Sequence, residues 1–197
     1  PNKGITQAAY LVHNHQKIKL ISEILREKDH DFVLVFSSRK VTVKEIVQAL
    51  NKVGLPAKGI HSELNQQQRE EVLLAFKNKK IKLLVATDVL SRGIDIKGIN
   101  LVINYDIPSD AEDYVHRIGR TARGDNTGVA LTFINSDDCF NFGKIESLIG
   151  NEVTKRALPE GFEPGPRYDT TKKPFKKKGN FNNKKKKKHW KPRKKQS

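Results

Sequence analysis

Short, unbroken apolar runs constrain this chain more than any other feature. Residues 32–36 read Phe-Val-Leu-Val-Phe and residues 83–86 read Leu-Leu-Val-Ala. Neither run alternates with polar residues, so each suits a strand buried on both faces, as strands are in a parallel sheet. Further strands are expected at 5–12, 57–61, 100–105 and 129–134. Between them the spacing turns helical. Apolar residues at 18, 20, 21, 24 and 25 predict a helix over 17–28. A second is predicted over 41–53, capped by Ser37 or Ser38 and stopped by Gly54-Leu-Pro56. A third opens at Asn65 and buries Val72, Leu73 and Phe76. A fourth, capped by Ser109 or Asp110, leads into 114–123, and a fifth runs from Ser136-Asp137 to about Ile149. Strands alternating with helices imply an α/β fold, with a mainly parallel sheet covered on both faces.

The polar residues cluster where such a fold binds ligands. Residues 114–123 read Tyr-Val-His-Arg-Ile-Gly-Arg-Thr-Ala-Arg and place His116, Arg117, Arg120 and Arg123 within ten residues. A guanidinium is always charged, and its planar fork fits phosphate oxygens two at a time. The spacing of three puts Arg120 and Arg123 on one face if the segment is helical. A solvated helix end is the alternative for this cluster alone. Upstream, Thr87-Asp88 breaks the 83–86 run, and Arg92-Gly93 and Asp95 follow. Ser37-Ser38-Arg39-Lys40 ends the 32–36 run with hydroxyls and cations suited to phosphates. Both sets fall beyond carboxyl ends of strands, where open α/β sheets hold ligands. Gln66 and Arg69 lie one turn apart at a helix start, which favours an anion.

Charge divides the chain. Of 38 lysines and arginines, 14 lie in residues 171–197 with no acid among them, leaving 24 basic against 22 acidic residues in 1–170. The tail calls for a polyanion, and nucleic acid rather than a membrane, because no amphipathic or lipid-anchoring pattern accompanies it. Phe175, Phe181, His189 and Trp190 are interleaved with the lysines. Rings that stack on bases and lysines such as Lys184 and Lys185 that neutralise phosphates suit a single-stranded nucleic acid, and RNA anchoring is expected. A merely solubilising tail is the alternative. So charged and apolar-poor a segment is expected to be disordered. Pro159, Gly161, Pro164, Gly165 and Pro166 predict a linker, giving a domain over 1–158 and a linker and tail over 159–197. The one cysteine, Cys139, fits a reducing compartment. His13 and His15 flank Asn14 with too few further ligands nearby for a metal, so loop histidines are expected. No apolar run approaches the ~20 residues that span a bilayer.

Residues 86–95, Ala-Thr-Asp-Val-Leu-Ser-Arg-Gly-Ile-Asp, and 114–123 resemble motifs V and VI of the DEAD-box RNA helicases of superfamily 2. Residues 102–108 resemble that family's connecting strand, 35–40 its motif IV, and Gln66-x-x-Arg69 its Gln-x-x-Arg element. Order and spacing agree over roughly 4–150, the second, C-terminal, RecA-like domain of such enzymes. The resemblance implies a three-layer α/β/α architecture and, from the tail, the bacterial RhlE-like subgroup. It implies that Arg120 and Arg123 are arginine fingers, that His116 and Arg117 meet the nucleotide-binding domain, that Asp95 meets the ATP ribose and that Arg92 lies at the interdomain seam. Ser38, Arg39, Gln66, Arg69, Thr87 and Gly93 are implied at the RNA. The family often has Thr where this chain has Ser38 and Gly where it has Ala122. No G-x-x-x-x-G-K-[ST] loop and no Asp-Glu-Ala-Asp is present. ATP is therefore expected to be shared with, and Mg2+ bound by, an N-terminal RecA-like domain of the same enzyme. The 197 residues, which contain no methionine and begin at Pro1, are expected to be an excised, monomeric, cytoplasmic fragment of an ATP-dependent RNA helicase, inactive alone. A stand-alone RNA-binding or annealing module without ATPase activity is the alternative. A DNA-directed superfamily 2 motor is a third reading, opposed by the form of 116–123 and by the Gln66/Arg69 spacing.

Overall fold

The computed structural model describes residues 4–27, 30–88, 96, 99–121 and 127–173. Seven strands form one sheet: β1 (Ile5–Leu11), β2 (Val33–Ser37), β3 (Ala57–Ile60), β4 (Leu83–Thr87), β5 (Leu101–Asn104), β6 (Gly128–Ile134) and β7 (Thr154–Arg156). Their order is β3-β4-β2-β5-β6-β1-β7, and every pairing is parallel. Five helices are described: α1 (Lys17–Glu27), α2 (Lys40–Lys52), α3 (Gln66–Lys77), α4 (Ala111–Ile118) and α5 (Cys139–Ile149).

The apolar runs explain the layering. Successive strand residues point to opposite faces. Val33 and Val35 join Leu20, Ile21, Val43, Ile46 and Leu50 of α1 and α2 in one core. Leu34 and Phe36 join Phe76 of α3 in a second. Ala9 and Ala130 join Tyr114 of α4 and Phe142 of α5 in a third. Helices thus cover both faces, and the expected three layers are present. Asn65 caps α3 in a capping box with Gln68, as expected, and Asp110 caps α4 by accepting from the Glu112 N–H.

Two other caps differ from expectation. Neither Ser37 nor Ser38 caps α2; the residue before that helix is Arg39, with no side-chain cap bond. The Ser37 hydroxyl donates instead to Asp106, because the chain just past β5 brings a partly buried carboxylate within reach. At α5, Asn135 rather than Ser136 or Asp137 accepts from the Asp137 and Asp138 N–H groups. Gly150 ends α5 with φ 66°, a left-handed conformation glycine adopts without Cβ strain.

β7 has no counterpart in the sequence reading. Its Thr-Lys-Arg carries no apolar pattern, yet it pairs with β1 from Ala8 to Tyr10. Lys155 reaches Glu146 at 2.5 Å, and a charged edge strand of this kind discourages further pairing. Beyond it, the Pro/Gly-rich stretch lies against the domain as a strap. Lys19 Nζ donates to the Gly161 carbonyl at 2.8 Å and sits 4.2 Å above the Phe162 ring. A Cβ on Gly165 would fall 1.8 Å from the Leu11 carbonyl oxygen, so only glycine lets the strap cross the end of β1. Tyr168 then packs edge-on against Phe142 and donates to Glu146. The boundary drawn at residue 158 therefore divides a segment from the surface it rests on. The lysine-rich part of the tail, from 174 onward, lies outside the described residues. No described helix is long and apolar enough to cross a membrane.

Candidate nucleic-acid and nucleotide interface

The register of the sheet sets the site. Ser37 pairs with Thr87, and Phe36 with Asn104. The ends of β2, β4 and β5 are thus level, and the polar residues that follow them share one edge.

Arg117 of α4 ties this edge together. Only 2% of it is exposed. Its Nε and Nη2 donate to the two Asp88 carboxylate oxygens at 2.6 Å each. Its Nη1 donates to the Asp106 carbonyl at 2.6 Å and to Asn104 Oδ1 at 3.2 Å. The guanidinium lies 5.2 Å from the Phe36 ring centre. A fork of five donors with four bonds inside the domain has little left for another domain. The resemblance gave Arg117 an interdomain contact, whereas its side chain here joins the ends of β4 and β5 to α4.

Asp106 extends the network. Its Oδ2 accepts from the Ser37 hydroxyl at 2.7 Å and the Ser38 N–H at 2.9 Å. Lys17, also 2% exposed, donates to the Tyr105 carbonyl at 2.9 Å and lies 3.6 Å from Asp106 Oδ1 and 3.8 Å from Asp138. Burial pushes the Asp106 pKa up, but the Ser37 hydroxyl, the Lys17 ammonium and the Ser38 amide outweigh it, and the net shift is downward. Asp138 goes the other way, raised chiefly by burial with Lys17 only partly offsetting it. Lys17 and Asp106 were not singled out from the sequence. Asp106 sits just past a buried strand, the signal that drew attention to Thr87-Asp88. Lys17 opens an amphipathic helix, where a lysine gives no hint of burial.

The other predicted residues are distributed as follows. Ser38 and Arg39 are exposed beside Thr87, which is half-buried. Gln66 and Arg69 begin α3, which follows β3 onto the same edge of the sheet. Gln66 donates to Glu70 at 2.7 Å and Arg69 Nη2 to the Ser62 carbonyl at 3.2 Å. His116 is exposed on α4, with Asp113 3.8 Å away. Arg120 is half-buried, but not on a helix face. α4 stops at Ile118 with Gly119 as its cap, and the Thr121 hydroxyl donates to the Ile99 carbonyl at 2.6 Å. That bond and an Ile99–Thr121 bridge draw the chain out of the helix. The expectation of Arg120 and Arg123 on one helical face therefore fails at Arg120. Arg92, Gly93, Asp95, Arg123, Lys184, Lys185 and Trp190 lie outside the described residues.

The geometry has a clear set of likenesses. The helicase conserved C-terminal domain family matches residues 16–125. Over 154 residues the chain is 45% identical to the DEAD-box ATP-dependent RNA helicase CshA of Geobacillus kaustophilus, covering 78% of this chain and 33% of that protein. The chain thus spans about a third of that relative's length. A DEAD box protein from the hyperthermophile Methanococcus jannaschii superimposes with a TM-score of 0.74 at 38% identity, over 79% of this chain and 43% of that one. Dbp5 of Saccharomyces cerevisiae, solved with RNA and ADP BeF3, gives 0.73 at 28% identity, over 79% and 42%. With an all-parallel sheet, arginines and hydroxyls gathered at its carboxyl edge, and a family match over more than half its length, the chain belongs to the DEAD-box proteins of superfamily 2, as their conserved C-terminal helicase domain.

Proposed function

We propose that the chain is the C-terminal half of an ATP-dependent RNA helicase that locally unwinds or remodels RNA. In this reading it grips the RNA backbone through Ser38, Arg39, Gln66, Arg69, Thr87 and Gly93, and supplies Arg120 and Arg123 to the nucleotide. The observation that carries the reading is the Arg117–Asp88–Asp106–Ser37 network. It holds the loop after β2, the end of β4 and the end of α4 as one rigid edge. Ser38 and Thr87, read here as RNA contacts, and the end of α4, just before Arg120, adjoin this network. The likeness to a relative solved with RNA and ADP BeF3 supports the same assignment.

ATP with Mg2+ is shared with an N-terminal RecA-like domain of the same enzyme, which supplies the phosphate loop and the metal carboxylates. The half-buried Arg120, just past the anchored end of α4, suits a guanidinium that stabilises charge on the terminal phosphoryl group. Arg123 acts with it, Asp95 accepts from a ribose hydroxyl, and His116, Arg92 and the surroundings of Arg117 form the seam. Closure of the two domains, favoured jointly by ATP and RNA, bends one strand, and hydrolysis reopens them. The tail, through Lys184, Lys185 and Trp190, anchors RNA nearby. The protein acts in the cytoplasm.

The 197 residues alone are expected to leave ATP intact with or without RNA. Adding an N-terminal RecA-like half should yield RNA-stimulated turnover that Arg120→Ala removes. ATP hydrolysis by the chain alone, dependent on RNA and lost on Arg120→Ala, would overturn this division of labour.

A further inference from the structure

Beside the expected RNA residues lies an ion-pair cluster that joins Lys40, the last residue of the 35–40 stretch, to two residues outside every motif, Lys44 and Glu63. Glu63, in the turn between β3 and α3, bridges two lysines of α2. Lys40 Nζ is 2.8 Å from Oε1, and Lys44 Nζ bonds Oε2. The lysines are four apart, so they project from one side of the helix. All three side chains are about half exposed, at 49%, 55% and 43%. Arg39 and Arg69 flank them.

Several features mark this spot as built for an anion larger than one carboxylate. Arg39, the residue before α2, makes no side-chain cap bond, and the positive end of a helix dipole favours an acceptor there. His61, only 9% exposed, faces the same charges, and its Nδ1 is buried without a partner. Arg69 Nε is likewise buried without a partner. Orphaned buried polar atoms are uncommon and call for an explanation. Burial, then Lys44, lowers the His61 pKa, which disfavours a charged ring beside the lysines. Lys40 and Lys44 hold the Glu63 carboxyl at about 2, so it stays ionised at any ordinary pH.

We propose that Lys40 and Lys44 form a phosphate seat for single-stranded RNA, and that Glu63 occupies this seat until the nucleic acid displaces it. A carboxylate presents two oxygens to the two ammonium groups, as the non-bridging oxygens of a phosphodiester do. Exposed ion pairs are weak and screened by salt, so a polyanion held next door by Arg69 and the α2 terminus exchanges with Glu63 readily. The carboxylate thus acts as a built-in competitor. It keeps the cations from binding loose anions and makes occupancy depend on a strand that also engages the neighbouring residues. This inference rests on the RNA reading of the edge and adds to it a mode of regulation.

The test uses the 197-residue chain and a fluorescent oligouridylate, titrated across a salt series. Glu63→Gln frees two ammonium groups. It should tighten binding about 3- to 10-fold at low salt and steepen the log–log salt slope by about 0.7 to 1.4, at about 0.7 per neutralised phosphate on a single strand. Glu45→Gln makes the same charge change at an exposed position of α2 and should do much less. Adding Lys44→Ala to Glu63→Gln should return most of the slope. Equal effects of Glu63→Gln and Glu45→Gln, with Arg69→Ala still weakening binding, would overturn the latch and leave the RNA edge standing. Silence of both Glu63→Gln and Arg69→Ala would overturn the latch and the RNA assignment of this edge together.

Discussion

Replacing Arg117 tests the physical heart of the site. Arg117→Ala removes the guanidinium and with it two hydrogen bonds to the Asp88 carboxylate and one each to the Asp106 carbonyl and Asn104 Oδ1. Breaking a buried pair by deleting one partner costs about 3–5 kcal/mol, because the remaining charge stays desolvated. Asp88 keeps 31% side-chain exposure, so some of that cost is relieved by water and the lower end applies. For a domain of this size about 1 kcal/mol moves the melting temperature by about 2–4 °C. Arg117→Ala should therefore melt about 6–12 °C below wild type. Arg117→Lys should recover little, since one ammonium cannot reach both Asp88 oxygens, Asn104 and the Asp106 carbonyl together. Calorimetry gives the shift, and a cycle with Asp88→Ala gives the coupling, expected above about 1.5 kcal/mol. A melting point within about 2 °C of wild type, or additivity within about 0.5 kcal/mol, would show that Arg117 does not hold the edge.

Two further outcomes follow from the same structure. The folded-state pKa of Asp106 lies below its ordinary 3.8, so its contribution is present above that value and is lost as pH falls through the folded value. Asp106→Asn should thus lower stability near neutrality and flatten the acid limb of a urea-midpoint series; an unchanged acid limb would contradict the assignment. Gly165→Ala should lift the strap. Cys139, 1% exposed with its Sγ 3.8 Å from the Arg167 carbonyl and its thiol pKa raised by burial, should then react faster with a thiol reagent, and equal rates would mean the strap does not shield it.

What could be read from the sequence tracks how local its cause is. β2 and β4 announce themselves because burial on both faces leaves no room for polar residues, and the helix starts at Asn65 and Asp110 were legible because a cap acts within one turn. The Ser37 hydroxyl had two possible partners, a helix N–H to accept from or a carboxylate to donate to, and the one it takes lies 69 residues away. β7 exists because β1 offers a free edge, not because Thr-Lys-Arg favours a strand. At the site, the described motif residues Ser38, Thr87, Gln66 and Arg69 fall at or past the carboxyl ends of β2, β4 and β3. The sequence does not distinguish a guanidinium turned inward, as at Arg117, from one turned toward a ligand, since both need the same residue. Lys17 was hidden for the same reason.

The position of β1 bears on how the domain is assembled. Ile5 pairs with Gly128 and Leu11 with Ile134, a separation of 123 residues, while β2, β3, β4 and β5 find their partners within 33–104. At about 5–20 residues per second, β1 waits roughly 6–25 s before its neighbour exists. During that interval the β3-β4-β2-β5 half, with α2 and α3 packed on it, is complete enough to close its own core. β1 then enters at the β6 edge as a late addition, and the strap that crosses its end can settle only afterwards. The loops after β2 and β3 are thus made early, and the strand through which any preceding polypeptide is joined to the domain is secured near the end.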